Sequence, residues 1–234
     1  AYYLANIYND IHHDFNSAET YFNFSENLEM GNVYNSIGVF YTKYNKKNMA
    51  EKYFLLSVKT GDFLAPRLLG LFYEEQNKLD EAEKYYKIAV SRKNFDAYVN
   101  LGLLFQKKND LAQAEKFFMN GSDIGDIVAT RLLAHLYLDQ QKYDLAEARF
   151  KTLTEKGDLL SFHALGDVYA LQNKYDLAEK YYLLGIEKGS DYSSKRLVAL
   201  YAKLERPDKI EAFYNNSAEK NNSSSFYDLA SFYK

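Results

Sequence analysis

Apolar and small residues return along this chain at a fixed step, and the step organises everything else. Ile37, Leu69, Leu101, Leu133, Leu165, Leu197 and Leu229 form one column spaced by 32 residues. Directly after each comes a mostly small residue: Gly38, Gly70, Gly102, Ala134, Gly166, then Val198 as the exception, and Ala230. Three further on stands an aromatic: Tyr41, Tyr73, Phe105, Tyr137, Tyr169, Tyr201 and Tyr233. A second set follows. It opens on Ala50-Glu51, Ala82-Glu83, Ala114-Glu115, Ala146-Glu147 and Ala178-Glu179, continues with aromatic pairs such as Tyr85-Tyr86 and Phe117-Phe118, and closes on a small residue such as Ser57 or Ala89. Within each set the spacings are three and four, so each set lies on one face of a helix. The pattern predicts two short amphipathic helices per unit, A and B. In one unit helix A is expected near 63–76 and helix B near 80–92.

The polar residues between the sets read as helix ends. Gly61, Gly125, Gly157 and Gly189 stand where a helix B should end in a left-handed residue. Asp62, Asp126 and Asp158 follow them and are suited to cap the next helix A. Asp80, Asp144, Asp176 and Asp208 stand three residues before the Glu column, the spacing of a capping box. Asp110 is an alternative cap in the unit where Ala112 breaks that spacing. Pro66 and Pro207 fall in first turns, where a missing N–H costs little. The small columns suggest close backbone approach, with Gly70 facing Ala82 and with Tyr73 and Tyr86 beside them. A lone helix pair leaves an apolar face bare, and stacking several makes a continuous core.

These residues resemble the tetratricopeptide repeat and its relative, the Sel1-like repeat. The quoted pattern reads Leu69-Gly70, Tyr73, Ala82, Tyr86, Ala89, and again Leu165-Gly166, Tyr169, Ala178, Tyr182, Gly185. The step of 12 from Gly70 to Ala82 looks like a tetratricopeptide A–B turn, while the step of 20 from Ala82 to Gly102, with its Gly-Asp junction, looks Sel1-like. The resemblance implies an all-α, right-handed α-α superhelix (a solenoid) of about seven helix pairs, with A helices lining an inner groove. The expected organisation is one array over 1–234: units near 1–30, 31–60, 61–92, 93–124, 125–156, 157–188 and 189–220, and a final A helix over 221–234. The array is expected to be cut at both ends, because the chain opens inside a unit and stops after an A helix.

Composition removes several functions. The 29 Lys and Arg against 32 Asp and Glu give a net charge of −3, no field that would gather nucleic acid or anionic lipid. The absence of cysteine excludes disulfide and thiolate chemistry. No apolar run approaches the ~18 residues of a membrane span. No phosphate-cradling glycine loop, zinc-protease helix motif or nucleophile elbow is present, so no enzymatic activity, cofactor or metal is expected. His135, His163 and Asp167 could converge as metal ligands, but a plain groove lining is the expected role, since two ligands without a third carry little specificity. A cytoplasmic location is favoured, without a feature that fixes it.

The family resemblance implies an interaction scaffold, so function should lie in A-helix positions that do not repeat. The column three before the small residue reads Asn35, Arg67, Val99, Arg131, His163, Lys195, and the column one after it reads Val39, Leu71, Leu103, His135, Asp167. The expected groove residues are Arg67, Leu71, Val99, Asn100, Leu103, Arg131, His135, His163, Asp167 and Lys195. The groove should be apolar in its N-terminal half and ionic in its C-terminal half, with Arg131 and Lys195 anchoring an acidic segment or terminal carboxylate. The expected partner is a protein or peptide. A structural or self-assembling spacer is the alternative, and a nucleic-acid binder ranks third.

Overall fold

A computed structural model of the chain describes residues 1–26 and 31–219. The described residues form helices joined by short turns, with no strand among them, as the periodicity predicts. The chain divides into two compact units, Ala1–Ile124 and Gly125–Lys234. The first unit contains α1 (Tyr2–Asp10), α2 (Phe15–Glu26), α3 (Gly31–Lys43), α4 (Lys47–Lys59), α5 (Ala65–Glu75), α6 (Leu79–Ser91), α7 (Ala97–Lys107) and α8 (Leu111–Asp123). The second contains α9 (Ile127–Asp139), α10 (Tyr143–Glu155), α11 (Leu159–Leu171), α12 (Tyr175–Glu187), α13 (Asp191–Lys203) and α14 (Pro207–Glu219). Odd-numbered helices are A, even-numbered are B. In each unit a helix packs first on its hairpin partner and then on the following helix, the arrangement of an all-α helical-repeat solenoid. Leu229, Ala230, Tyr233 and the expected final A helix over 221–234 lie outside the described residues.

The repeating columns are the core. Ile37, Leu69, Leu101, Leu133, Leu165 and Leu197 are buried, as are Ala50, Ala82, Ala114, Ala146 and Ala178. The glycine column makes room for a ring. A Cβ at Gly70 would stand 2.5 Å from Tyr86, one at Gly38 2.7 Å from Phe54, one at Gly102 2.3 Å from Phe118, and one at Gly166 2.3 Å from Tyr182. Gly70 is therefore opposed by the Tyr86 ring, not by Ala82 as the sequence suggested. A flat ring laid on bare backbone brings the two helices of a hairpin close without a void.

The helix ends follow the sequence in part. Gly61, Gly125, Gly157 and Gly189 adopt φ between +81° and +91°, and Lys93 takes the same left-handed turn at φ 66°. Asp62 accepts from the N–H groups of Leu64 and Ala65, Asp126 from those of Val128 and Ala129, and Asp110 from that of Gln113. The capping box is a correction. Helix α6 starts two residues earlier than that motif needs, with Lys78 at its N-cap and Asp80 already inside the first turn. Lys142 and Lys174 hold the same position before α10 and α12, and none of the three makes a side-chain cap bond. Their ammonium groups instead sit 5.5–6.0 Å over the rings of Tyr73, Tyr137 and Tyr169, within cation–π range.

The Glu column, freed from capping, joins one hairpin to the next. Tyr41 donates its hydroxyl to Glu19, Tyr73 to Glu51, Tyr169 to Glu147 and Tyr201 to Glu179, at 2.6–3.0 Å and always across 22 residues. Where Phe105 has no hydroxyl, Lys108 reaches Glu83 at 2.7 Å and Asp80 at 2.8 Å. Each strut satisfies a half-buried carboxylate with a donor from the following A helix, and so fixes the stacking register.

Candidate groove on the A helices

In the first unit the sequence-predicted positions sit on α5 and α7. Leu71 and Val99 are partly buried and Leu103 is 40% exposed, while Val39 of α3, in the same column as Leu71 and Leu103, is 51% exposed. An apolar stripe therefore survives on successive A helices after the core is filled. Arg67 is not free. Its guanidinium reaches Asn100 Oδ1 at 3.5 Å and Asp96 at 3.9 Å, and its Nε is buried without a partner. Arg67 and Asn100 thus brace α5 against α7.

In the second unit, Arg131 forks onto Asp158 through Nε and Nη2, the Nε bond being 3.2 Å, and Asp158 also accepts from the Ser161 hydroxyl. Burial alone would raise the Asp158 carboxyl, but Arg131 and Ser161 bring it below its ordinary range. Arg131 is thereby spent on a neighbouring helix start, a partner 27 residues on. Asn35 repeats the move in the first unit, donating to Asp62 at 2.7 Å across the same 27 residues.

His135 lies edge-on to Phe150 at 5.1 Å, and His163 stacks on Tyr192 at 5.3 Å. Partial burial holds both imidazoles below their usual value, with the cations Arg131 and Arg196 adding to the effect. Asp167 accepts from the Tyr182 hydroxyl at 2.6 Å and pairs with Arg196 at 3.2 Å. Lys195 is exposed and makes no ion pair among the described residues. Of the two charged anchors read from sequence, Lys195 alone is available. No group of three His, Cys, Asp or Glu side chains converges on a metal position among the described residues. Within those residues no helix is long and apolar enough to cross a membrane.

A cavity of about 370 Å³ opens in the first unit between α1, α3 and the start of α5. Asn6, Asn9, Asp10, Asn35 and Asp62 give it polar walls, and Val39, Leu64 and Leu68 an apolar side. The sequence reading made this half of the groove apolar, which fits Val39 but misses the asparagines. Their signal was present in Asn6-x-x-Asn9 and Asn32-x-x-Asn35, a three-residue helical step on neighbouring A helices.

Comparison with known proteins agrees with this architecture. A family model described as tetratricopeptide repeat matches residues 67–118 and 131–193. Among solved structures, the C-terminal part of a TPR repeat-containing protein from Cytophaga hutchinsonii superposes with a TM-score of 0.67 at 18% identity, covering 96% of this chain and 91% of that one. A protective antigen of uropathogenic Escherichia coli strains, c5321, which displays an SLR fold, gives 0.65 at 19% identity over 99% of this chain and 55% of its own. YrrB, described as a TPR protein with an unusual peptide-binding site, gives 0.53 at 18% identity over 72% of this chain and 92% of its own. No curated protein sequence shows significant similarity to the chain.

Proposed function

We propose that this chain, a tetratricopeptide/Sel1-like repeat protein, is a non-catalytic scaffold that holds a peptide or protein segment along the exposed face of its A helices. The observation that carries the reading is the contrast within those helices. The leucine and aromatic columns of the described A helices are buried, whereas Val39, Leu103 and Lys195 on the same helices remain exposed. Exposed apolar side chains at one column of successive helices suit an extended apolar segment, since their burial by a partner is the main source of affinity. The contact set in the first unit is Leu71, Val99 and Leu103, framed by Arg67 and Asn100. In the second unit it is His135, His163, Asp167 and Lys195 beside Arg131. An acidic group on the partner would meet Lys195. The likeness to YrrB supports a peptide ligand at the level of fold.

Selection of randomised peptides against the chain, followed by fluorescence-polarisation titration of the winners, tests this. Affinity should fall at least tenfold in Leu71→Asp/Leu103→Asp or in Lys195→Glu. Leu55→Asp, at an exposed position of the B helix α4, should leave it unchanged. Titrations insensitive to all the A-face changes would refute the proposal.

A further inference from the structure

We propose that the cavity between α1, α3 and the start of α5 is a subsite for one basic side chain, arginine or lysine, of the held segment. This rests on the scaffold reading above and adds the charge of the group that enters. Two carboxylates, Asp10 and Asp62, line the cavity and no cation does. Neither is in an ion pair among the described residues. Asp62 takes three N–H donors on Oδ1, from Asn35, Leu64 and Ala65, which leaves Oδ2 without one. Asp10 accepts only the Asn9 amide, at 2.7 Å.

Asn35 sharpens the preference. Its side chain is buried at 7% exposure. The contact with Asp62 fixes its orientation, because only the amide NH2 can donate to a carboxylate. The carbonyl oxygen is then left buried with no donor, and its negative end adds to the field of the two carboxylates. Two cations lie near, and both are occupied by carbonyl oxygens. Lys43 is held by the Asn9 backbone and side-chain oxygens, each at 3.1 Å. Arg92 is held by the backbone oxygens of Asp62 and Val58, each at 3.2 Å.

An entering carboxylate would face like charge. An apolar group would strip water from Asp10 and Asp62 and return nothing. A lysine or arginine satisfies both demands of the cavity, its methylenes lying along Val39, Leu64 and Leu68 while its N–H groups reach the carboxylates. The volume of about 370 Å³ accommodates one long side chain and adjoining backbone.

The test uses peptides selected on the whole chain and the variant Asp10→Asn/Asp62→Asn, in which asparagine keeps the ability to cap α5 and circular dichroism verifies the helices. The selected peptides should share one arginine or lysine. Replacing it by citrulline or norleucine should weaken binding at least tenfold to the wild type and not at all to the variant. Peptides with no shared basic position, or a replacement that acts equally on both proteins, would overturn the subsite while leaving the scaffold in place. If no peptide is selected, or if the A-face changes are without effect, the scaffold reading falls and the subsite with it.

Discussion

Replacing Gly166 by alanine should destabilise the second unit, although alanine is the better helix former. A Cβ on Gly166 would lie 2.3 Å from Cε1 and 2.5 Å from Cδ1 of Tyr182, more than 1 Å inside the ~3.5–4.0 Å optimum for carbon pairs. The ring is buried, and its hydroxyl is tied to Asp167 at 2.6 Å, so it has no cheap way out. Alanine would gain about 1 kcal/mol in helix propensity. Overpacking costs ~1–3 kcal/mol, and loosening a hydrogen bond to a charged acceptor adds about 1 kcal/mol. The second set wins, for a net loss of about 1–3 kcal/mol. Urea unfolding followed by circular dichroism at 222 nm reads it as a lower midpoint at unchanged slope. A double-mutant cycle isolates the cause: in a Tyr182→Leu background, Gly166→Ala should be neutral or stabilising by up to about 1 kcal/mol. If Gly166→Ala stabilises the unaltered chain, the glycine column is not there to seat a ring.

Tyr73→Phe removes the 2.6 Å strut to Glu51 and should cost about 1–2 kcal/mol in the same assay, a charged hydrogen bond discounted for the half-exposed carboxylate; an unchanged midpoint would contradict a role in stacking. Burial first, and then the carboxylate partners Glu51, Glu74, Asp167 and Glu179, raise the Tyr73, Tyr86, Tyr182 and Tyr201 phenols. The unfolded chain therefore loses these protons before the folded one, and stability should fall as pH rises above the ordinary tyrosine value of about 10. Tyrosinate absorbance that develops at that ordinary value while the helix signal persists would refute it. Burial holds His135 and His163 below the ordinary imidazole value in the folded chain, so stability should decline as pH falls below 6.5, and proton NMR of the ring hydrogens should find both titration midpoints below that ordinary value. A midpoint at or above 6.5 for either would count against the described packing.

The fold was legible because its signal is redundant. Each of Leu69, Gly70, Tyr73 and Ala82 has counterparts 32 residues away, and buried faces are what periodicity reports. Helix ends were less so. A capping box depends on the first helical residue to within one position, and Lys78, not Asp80, holds the cap. The struts joined two columns that had been read separately, Tyr73 and Glu51, because the register between hairpins is a tertiary quantity. One turn signal went unread: Asn45, Asn77, Asn109 and Asn173 all adopt left-handed φ of 55–59°, and asparagine is the residue other than glycine that does so most readily. At the candidate groove, Val39 and Leu103 are exposed on the face their column marks, but the sequence held no sign that Arg131 closes on Asp158 27 residues away.

The claim that a partner lies on the A helices is tested most directly by photocrosslinking, for which the absence of native cysteine is an advantage. Benzophenone-maleimide would be placed on Leu103→Cys of α7 or on Leu55→Cys of α4, both exposed in the native chain, and illuminated with a selected peptide bound. Adducts from position 103 and none from position 55 are predicted. Adducts from 55 alone, or equal yields from both, would contradict the account.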